Sequence, residues 1–129
     1  MSIDNQQQKI LIIDDDERNI FALKAVLTAK KFSCVTASGG IQALTILKQQ
    51  QDIDVALVDM MMPGIDGYEL MTLIKRTPEF SRLKLVAVTA QAMIGDKEKC
   101  IAAGADAYIS KPVDIDILLQ VINTPVSKQ

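Results

Sequence analysis

The sequence predicts one α/β domain: a five-stranded parallel sheet with helices on both faces. Three observations lead there. Short apolar runs recur along the chain, brief enough for strands and apolar enough to be buried on both faces. Segments with apolar residues at helical spacing separate them in strict alternation. The length, 129 residues, suffices for one core and falls short of two.

Lys9–Ile13 (KILII), after a polar lead, is the first strand. In the helix behind it Leu23, Val26 and Leu27 share a face. Cys34–Thr36 is a weaker strand, succeeded by a helix marked by Ala43, Leu44 and Leu47. Val55–Val58 (VALV) is the third strand, and Leu70, Leu73 and Ile74 mark the third helix. Leu85–Val88 (LVAV) precedes a short, weakly amphipathic fourth helix over Asp96–Ala103. Ala107–Ile109 is the last strand. Ile115, Leu118, Leu119 and Ile122 stand at i, i+3, i+4 and i+7 of the last helix, with Asp114 as its N-cap. Right-handed crossovers make the flavodoxin-like strand order 2-1-3-4-5 the simplest arrangement. We expect a single domain over residues 1–129, its core running from about 8 to 122, with loose ends.

Composition narrows the function. Hydrophobic residues make up 49% and charged residues 23%, an ordinary globular balance. A net charge of −2 gives no broad basic surface, so neither nucleic acid nor a membrane is an expected partner. No apolar run is long enough to span a bilayer, and the start MSIDNQQQK has no signal-peptide core. Two cysteines, Cys34 and Cys100, are too few for a disulfide framework and are expected as free thiols in the cytoplasm. With no histidine, histidine catalysis and histidine metal ligation are excluded within this sequence.

The residues at the C-terminal end of each strand are more informative. The first strand runs into Asp14, Asp15, Asp16 and Glu17, the third into Asp59. The fourth ends at Thr89 and the fifth at Ser110-Lys111-Pro112. Parallel strands put all these ends on one edge, where open α/β sheets bind ligands. Asp16 and Glu17 suit a helix cap and first turn. The other acids, brought together, repel and call for a hard cation; an oxygen-only site points to Mg²⁺. Lys111 offers a point charge for a phosphate oxygen and Thr89 a hydroxyl donor. A carboxylate can serve as nucleophile and form an aspartyl phosphate, and phosphoryl transfer needs mainly positioning and charge neutralisation. Met60, Met61 and Met62 read as loop packing.

Four stretches carry a resemblance: ILIIDDDERN (Ile10–Asn19), ALVDMMMPGIDGYEL (Ala56–Leu70), AVTAQA (Ala87–Ala92) and GADAYISKPVD (Gly104–Asp114). Together and in this order they resemble the receiver domain of bacterial two-component response regulators, over about Gln8 to Ile122. The resemblance implies that Asp59 is the phosphoacceptor. It implies that Asp14 and Asp15 hold Mg²⁺ together with Asp59 and the backbone carbonyl of Met61. It implies a switch in which the Thr89 hydroxyl moves and Tyr108 changes rotamer, a phosphate-pairing Lys111, and a cis Lys111–Pro112 bond. Met61 and Gln91 occupy the family's variable positions. Met61, apolar and bulky, is expected to slow self-dephosphorylation.

The expected donor is the phosphohistidine of a histidine kinase or phosphotransfer protein; the downstream partner is left open. The Met start and polar tail tilt the expectation slightly to a stand-alone receiver over one from a hybrid sensor kinase. Rival functions fit less well. An aspartyl phosphatase usually carries Asp-x-Asp after its first strand, whereas Met60 and Met61 come after Asp59 here. No G-x-x-x-x-G-K-[ST] or G-x-G-x-x-G loop supports a nucleotide-binding module. Intact site residues speak against a degenerate receiver used only for docking. At about 100° per residue, Phe21 lies roughly 150–160° from the centre of the first helix's core face. It is therefore expected on solvent, flanking the acid site and docking the phosphodonor, with Ile20 at the edge of the same contact.

Overall fold

The computed structural model describes residues 8–61, 67–90 and 94–124. Their order is β1 (Lys9–Ile13), α1 (Glu17–Ala29), β2 (Ser33–Ala37), α2 (Gly40–Gln49), β3 (Val55–Asp59), α3 (Gly67–Arg76), β4 (Lys84–Thr89), α4 (Asp96–Ala103), β5 (Ala107–Ser110) and α5 (Ile115–Asn123). A 3-10 turn, Pro78–Phe80, joins α3 to β4 and buries Phe80; it is too short to leave a periodic pattern in the sequence. The sheet is parallel throughout and ordered β2-β1-β3-β4-β5, as expected.

Strand periodicity builds two cores from the same apolar runs. Leu11, Ile13, Ala56, Val58, Leu85 and Ala87 face α2, α3 and α4. Ile10, Ile12, Val55, Leu57, Val86 and Val88 face α1 and α5, meeting Leu27, Leu118 and Ile122. Each fully buried aliphatic side chain contributes about 1.5–3 kcal/mol relative to leaving it in water. The two layers hold the strand ends rigidly enough to carry a site.

Two helices carry a single buried side chain each, less than the apolar face of α1 suggested and in keeping with the weak amphipathicity of α4. In α1 only Leu27 is buried. Leu23 and Val26 are half-buried because a cleft of about 490 Å³ opens beside them, between α1, the sheet and the start of α5. In α4 only Cys100 is buried. That helix lies between Gly95 at φ +90° and Gly104 at φ +122°, backbone conformations that suit glycine. A Cβ on Gly104 would also stand 2.6 Å from Lys75 Cγ.

One buried charge bears on α5. Lys84 opens β4 and is 7% exposed. Its Nζ donates to the carbonyls of Val121 at 2.7 Å and Ile122 at 3.1 Å, and to that of Thr124. These are last-turn carbonyls of the kind that lack helical partners, so the lysine caps the helix from the neighbouring layer. Burial pushes its ammonium below the ordinary lysine value, and Asp106 partly offsets this.

Candidate phosphoryl-acceptor site

The polar residues at the strand ends converge as the topology requires. Asp14 comes directly after β1, and its N–H donates to the Ala37 carbonyl at 3.1 Å, extending the pairing with β2. Its Oδ1 accepts the Asp16 N–H at 2.9 Å, which turns the chain toward α1. Asp16 is the N-cap of α1, accepting from the Arg18 N–H at 2.9 Å, and Glu17 lies in the first turn, so both have the structural roles expected of them. Asp59 is itself the last residue of β3, paired in register with Val88, rather than the first residue beyond the strand.

Asp14 and Asp59 are each 4% exposed and Thr89 2%, whereas Asp15 is exposed. Asp59 Oδ1 accepts from the Met61 N–H at 3.1 Å and from Lys111 Nζ at 3.4 Å. The same Nζ stands 3.9 Å from Asp14 Oδ2. Lys111 is placed by its own backbone, whose N–H donates to the Thr89 carbonyl at 2.7 Å, and its bond to Pro112 is cis. Thr89, at the end of β4, pairs in register with Ser110.

One oxygen each from Asp14, Asp15 and Asp59 lie within 4.8 Å of one another. A single lysine cannot offset three carboxylates, two of them buried. The strain shows at Asp14, whose carboxyl is pushed above its ordinary value: burial is the main cause, the Asp16 N–H opposes it, and the nearby Asp59 charge adds to it. Clustered oxygen donors with surplus negative charge and an open side fit a hard divalent cation such as Mg²⁺.

Met61 is half exposed next to the acceptor. Met62 and Gln91 lie outside the described residues. Tyr108 on β5 is half-buried, and its hydroxyl donates to Asp96 Oδ2 at 2.9 Å. Phe21 is 76% exposed, as expected, and is not among the residues lining the cleft that Asp14, Asp59 and Lys111 share with α1. It lines a shallow groove with Glu17, Arg18, Ile20, Lys24 and Thr36, on the β2 side of α1. The α1 residues bordering the cleft are Asn19, Ala22, Leu23 and Val26. Two residues at about 100° each turn Phe21 roughly 200° from Asn19, onto the other flank. Ile20 is half-buried, at the edge of the core face as expected.

Asn19 joins the site without having been expected there. Its Nδ2 donates to Asp14 Oδ2 at 3.4 Å, so α1 helps to orient the acid that precedes it. Its spacing, about one helical turn after the acid pair, was the available signal.

A buried acid ends the central strand, with an acid pair after β1, a hydroxyl at the end of β4 and a lysine after β5, an arrangement that marks a class of signalling domain. Residues 10–123 match the response regulator receiver domain family, and the chain belongs to it. It is a receiver domain of two-component phosphorelay signalling. The sensor histidine kinase RcsC of Escherichia coli is 36% identical over 120 residues, covering 92% of this chain. The chain spans only 12% of the length of that kinase. The polar-differentiation response regulator DivK of Brucella anthropi is 28% identical, and there the match covers 91% of this chain and 94% of the relative. Among solved structures, the receiver domain of the sensor histidine kinase PA1611 of Pseudomonas aeruginosa is 30% identical, with a TM-score of 0.82 over 91% of this chain and 95% of that one. That structure has a magnesium ion coordinated in its active site cleft.

Proposed function

We propose that Asp59 is the phosphoacceptor of this receiver, that it takes its phosphoryl group from a phosphohistidine, and that the reaction requires Mg²⁺. The observation that carries this reading is the convergence of buried Asp59 with Asp14 and Asp15 while Lys111 Nζ stands 3.4 Å from its Oδ1. A carboxylate oxygen of Asp59 attacks phosphorus, the P–N bond of the donor breaks, and its electron pair returns to the imidazole nitrogen, which takes a proton. The product is an acyl phosphate on Asp59. Lys111 pairs with a phosphoryl oxygen and Thr89 donates its hydroxyl to another. Asp14, Asp15, Asp59 and the Met61 carbonyl would hold Mg²⁺, which when bound neutralises charge on the carboxylates and the phosphoryl group. The chain has no histidine, so the donor, a histidine kinase or a phosphotransfer protein, lies outside this sequence.

The switch on this reading is Thr89 with Tyr108. A hydroxyl drawn toward the phosphoryl group vacates space for the ring, which biases an existing two-state equilibrium over α4, β5 and α5. Apart from phosphotransfer to itself and slow self-dephosphorylation, we assign the domain no enzyme activity. We take residues 1–129 as one receiver domain working in the cytoplasm. The free thiols Cys34 and Cys100 support that setting, and among the described residues no helix is long and apolar enough to cross a membrane. Neither nucleic acid nor membrane is assigned as a partner, and the downstream protein is not specified.

Incubation with acetyl phosphate tests the reading. One acid-labile phosphoryl group per chain, dependent on Mg²⁺, supports a receiver; turnover of many equivalents supports a phosphatase instead. Mg²⁺ at about 100 times its Kd is expected to add about 2.7 kcal/mol of stability. Asp15→Asn should move the midpoint of that Mg²⁺ titration to higher concentration, and an unchanged midpoint would remove Asp15 from the metal site.

Met61 bears on the lifetime of the product. Hydrolysis needs a water aligned with phosphorus, and a thioether side chain at position 61 cannot orient one. Met61→Asn is expected to shorten the acyl-phosphate lifetime several-fold; a lifetime equal to that of wild type would count against this role.

We assign Phe21 and Ile20 to donor docking. Large exposed aromatics serve as interface anchors, and the groove beside this ring includes Glu17 and Arg18, the first residues of the helix that Asp14 and Asp15 lead into. Phe21→Ala should leave phosphorylation by acetyl phosphate unchanged and slow transfer from the cognate phosphohistidine protein. Equal transfer rates from that protein would reject the assignment.

A further inference from the structure

Outside the acid cleft, one polar cluster ties three elements together. Asp96, the first residue of α4, accepts from two phenols: Tyr68 on α3 at 2.7 Å through Oδ1, and Tyr108 on β5 at 2.9 Å through Oδ2. One turn further along α4, Lys99 Nζ stands 4.4 Å from the centroid of the Tyr68 ring. Both tyrosines are raised above the ordinary phenol value. For Tyr68 the Asp96 hydrogen bond is the main cause and burial the second; for Tyr108 burial leads and Asp96 comes second. Both therefore keep their protons and remain donors at neutral pH.

This cluster matters because α4 has little apolar anchorage. Only Cys100 of its eight residues is buried, and Ile101 is exposed. Glycines with positive φ stand at both ends. A short helix with one buried side chain takes its position from directional polar contacts, here Asp96 at its start and the Ala103 carbonyl at its end, which accepts from Thr72 Oγ1 on α3 at 3.4 Å.

We propose that Asp96 and Tyr68 are positioning residues for the switch: together with Tyr108 they form a clasp that fixes α4 in the resting state, and activation opens it on the Tyr108 side. The inference rests on the reading of Tyr108 as the aromatic partner of Thr89. One carboxylate serves two phenols on two elements. Tyr108 therefore cannot change rotamer without leaving Asp96 Oδ2, while Tyr68 and Lys99 keep the helix attached to α3. The helix pivots on Tyr68 rather than detaching. Rotation of a single tyrosine ring is thereby converted into reorientation of a whole helix. In the resting protein the Tyr108–Asp96 bond opposes activation, so removing the carboxylate shifts the resting population toward the active form by about three- to tenfold.

The test is amide NMR of wild type, Asp96→Ala and Tyr68→Phe, each free and with beryllofluoride. In free Asp96→Ala, the α4 and β5 amides should move along the line joining the free and beryllofluoride positions of wild type. Tyr68→Phe keeps the bond to Tyr108, so its β5 amides should stay at resting positions while those of α4 shift. Free Asp96→Ala amides that coincide with wild type beyond the immediate neighbours of position 96 overturn the clasp. If that variant fails to fold, Asp96→Asn, which retains one acceptor oxygen, is read in the same way and should show a smaller displacement along the same line. Wild type is first labelled with acetyl phosphate. A wild type without label at Asp59 overturns the assignment of the acceptor. A labelled, beryllofluoride-responsive wild type beside an unshifted Asp96 variant overturns the clasp alone.

Discussion

Asp59→Asn is expected to take up no acid-labile phosphoryl group, from acetyl phosphate or from a phosphohistidine donor, under conditions in which wild type is labelled. The amide oxygen occupies nearly the same volume but is a poor nucleophile toward phosphorus, so the loss should be essentially complete. The fold should survive, because the substitution removes one of three crowded carboxylates. The Met61 N–H that now donates to Asp59 Oδ1 at 3.1 Å retains an acceptor in the asparagine oxygen. A circular-dichroism spectrum and melting curve like those of wild type, together with absent label, constitute the expected result. Undiminished label on the variant would move the acceptor to another residue and overturn the assignment.

Lys84→Met is expected to cost about 2 kcal/mol of stability, because methionine fills the stem's space but leaves the α5 carbonyls without their donor. Two effects oppose each other. Burial of the ammonium is unfavourable, and the substitution relieves it. Against that, the carbonyls of Val121 and Ile122 lose bonds of 2.7 and 3.1 Å, and that of Thr124 loses its donor as well. Ile122 is buried, so water cannot readily replace the lysine there. The loss of several charge-assisted bonds outweighs the desolvation relieved, and the melting temperature should fall by about 8 °C. Hydrogen exchange should accelerate most in the last turn of α5. A melting temperature within about 1 °C of wild type would show that the cap contributes no net stability.

The strand–helix alternation was legible because buried parallel strands are short and apolar and amphipathic helices carry their own period. Those two patterns place β1, β3 and β4 to within a residue or two and α4 without error. From the topology alone, Asp14, Asp15, Asp59, Thr89 and Lys111 could be assigned to one edge, since all strands of a parallel sheet end on the same side. The exposure of Phe21 was also legible, being an angle on a single helix. Its groove was not, because that depends on how α1 is rotated against β2.

The sequence by itself determines features that are local or that depend only on strand direction: the alternation of elements, the solvent face of α1, the Asp16 and Asp114 caps, and the edge to which the acids belong. Contacts between residues distant in sequence were decided only by the tertiary structure. Lys84 reads as a polar strand opening until the end of α5 is laid across it. Asp96 reads as an acid in a first helical turn until Tyr68 and Tyr108 arrive from two other elements. The physical reason is that periodicity records which face of an element is buried. A hydrogen bond of 2.7 Å depends on the relative placement of two elements, and no one-dimensional pattern carries that information.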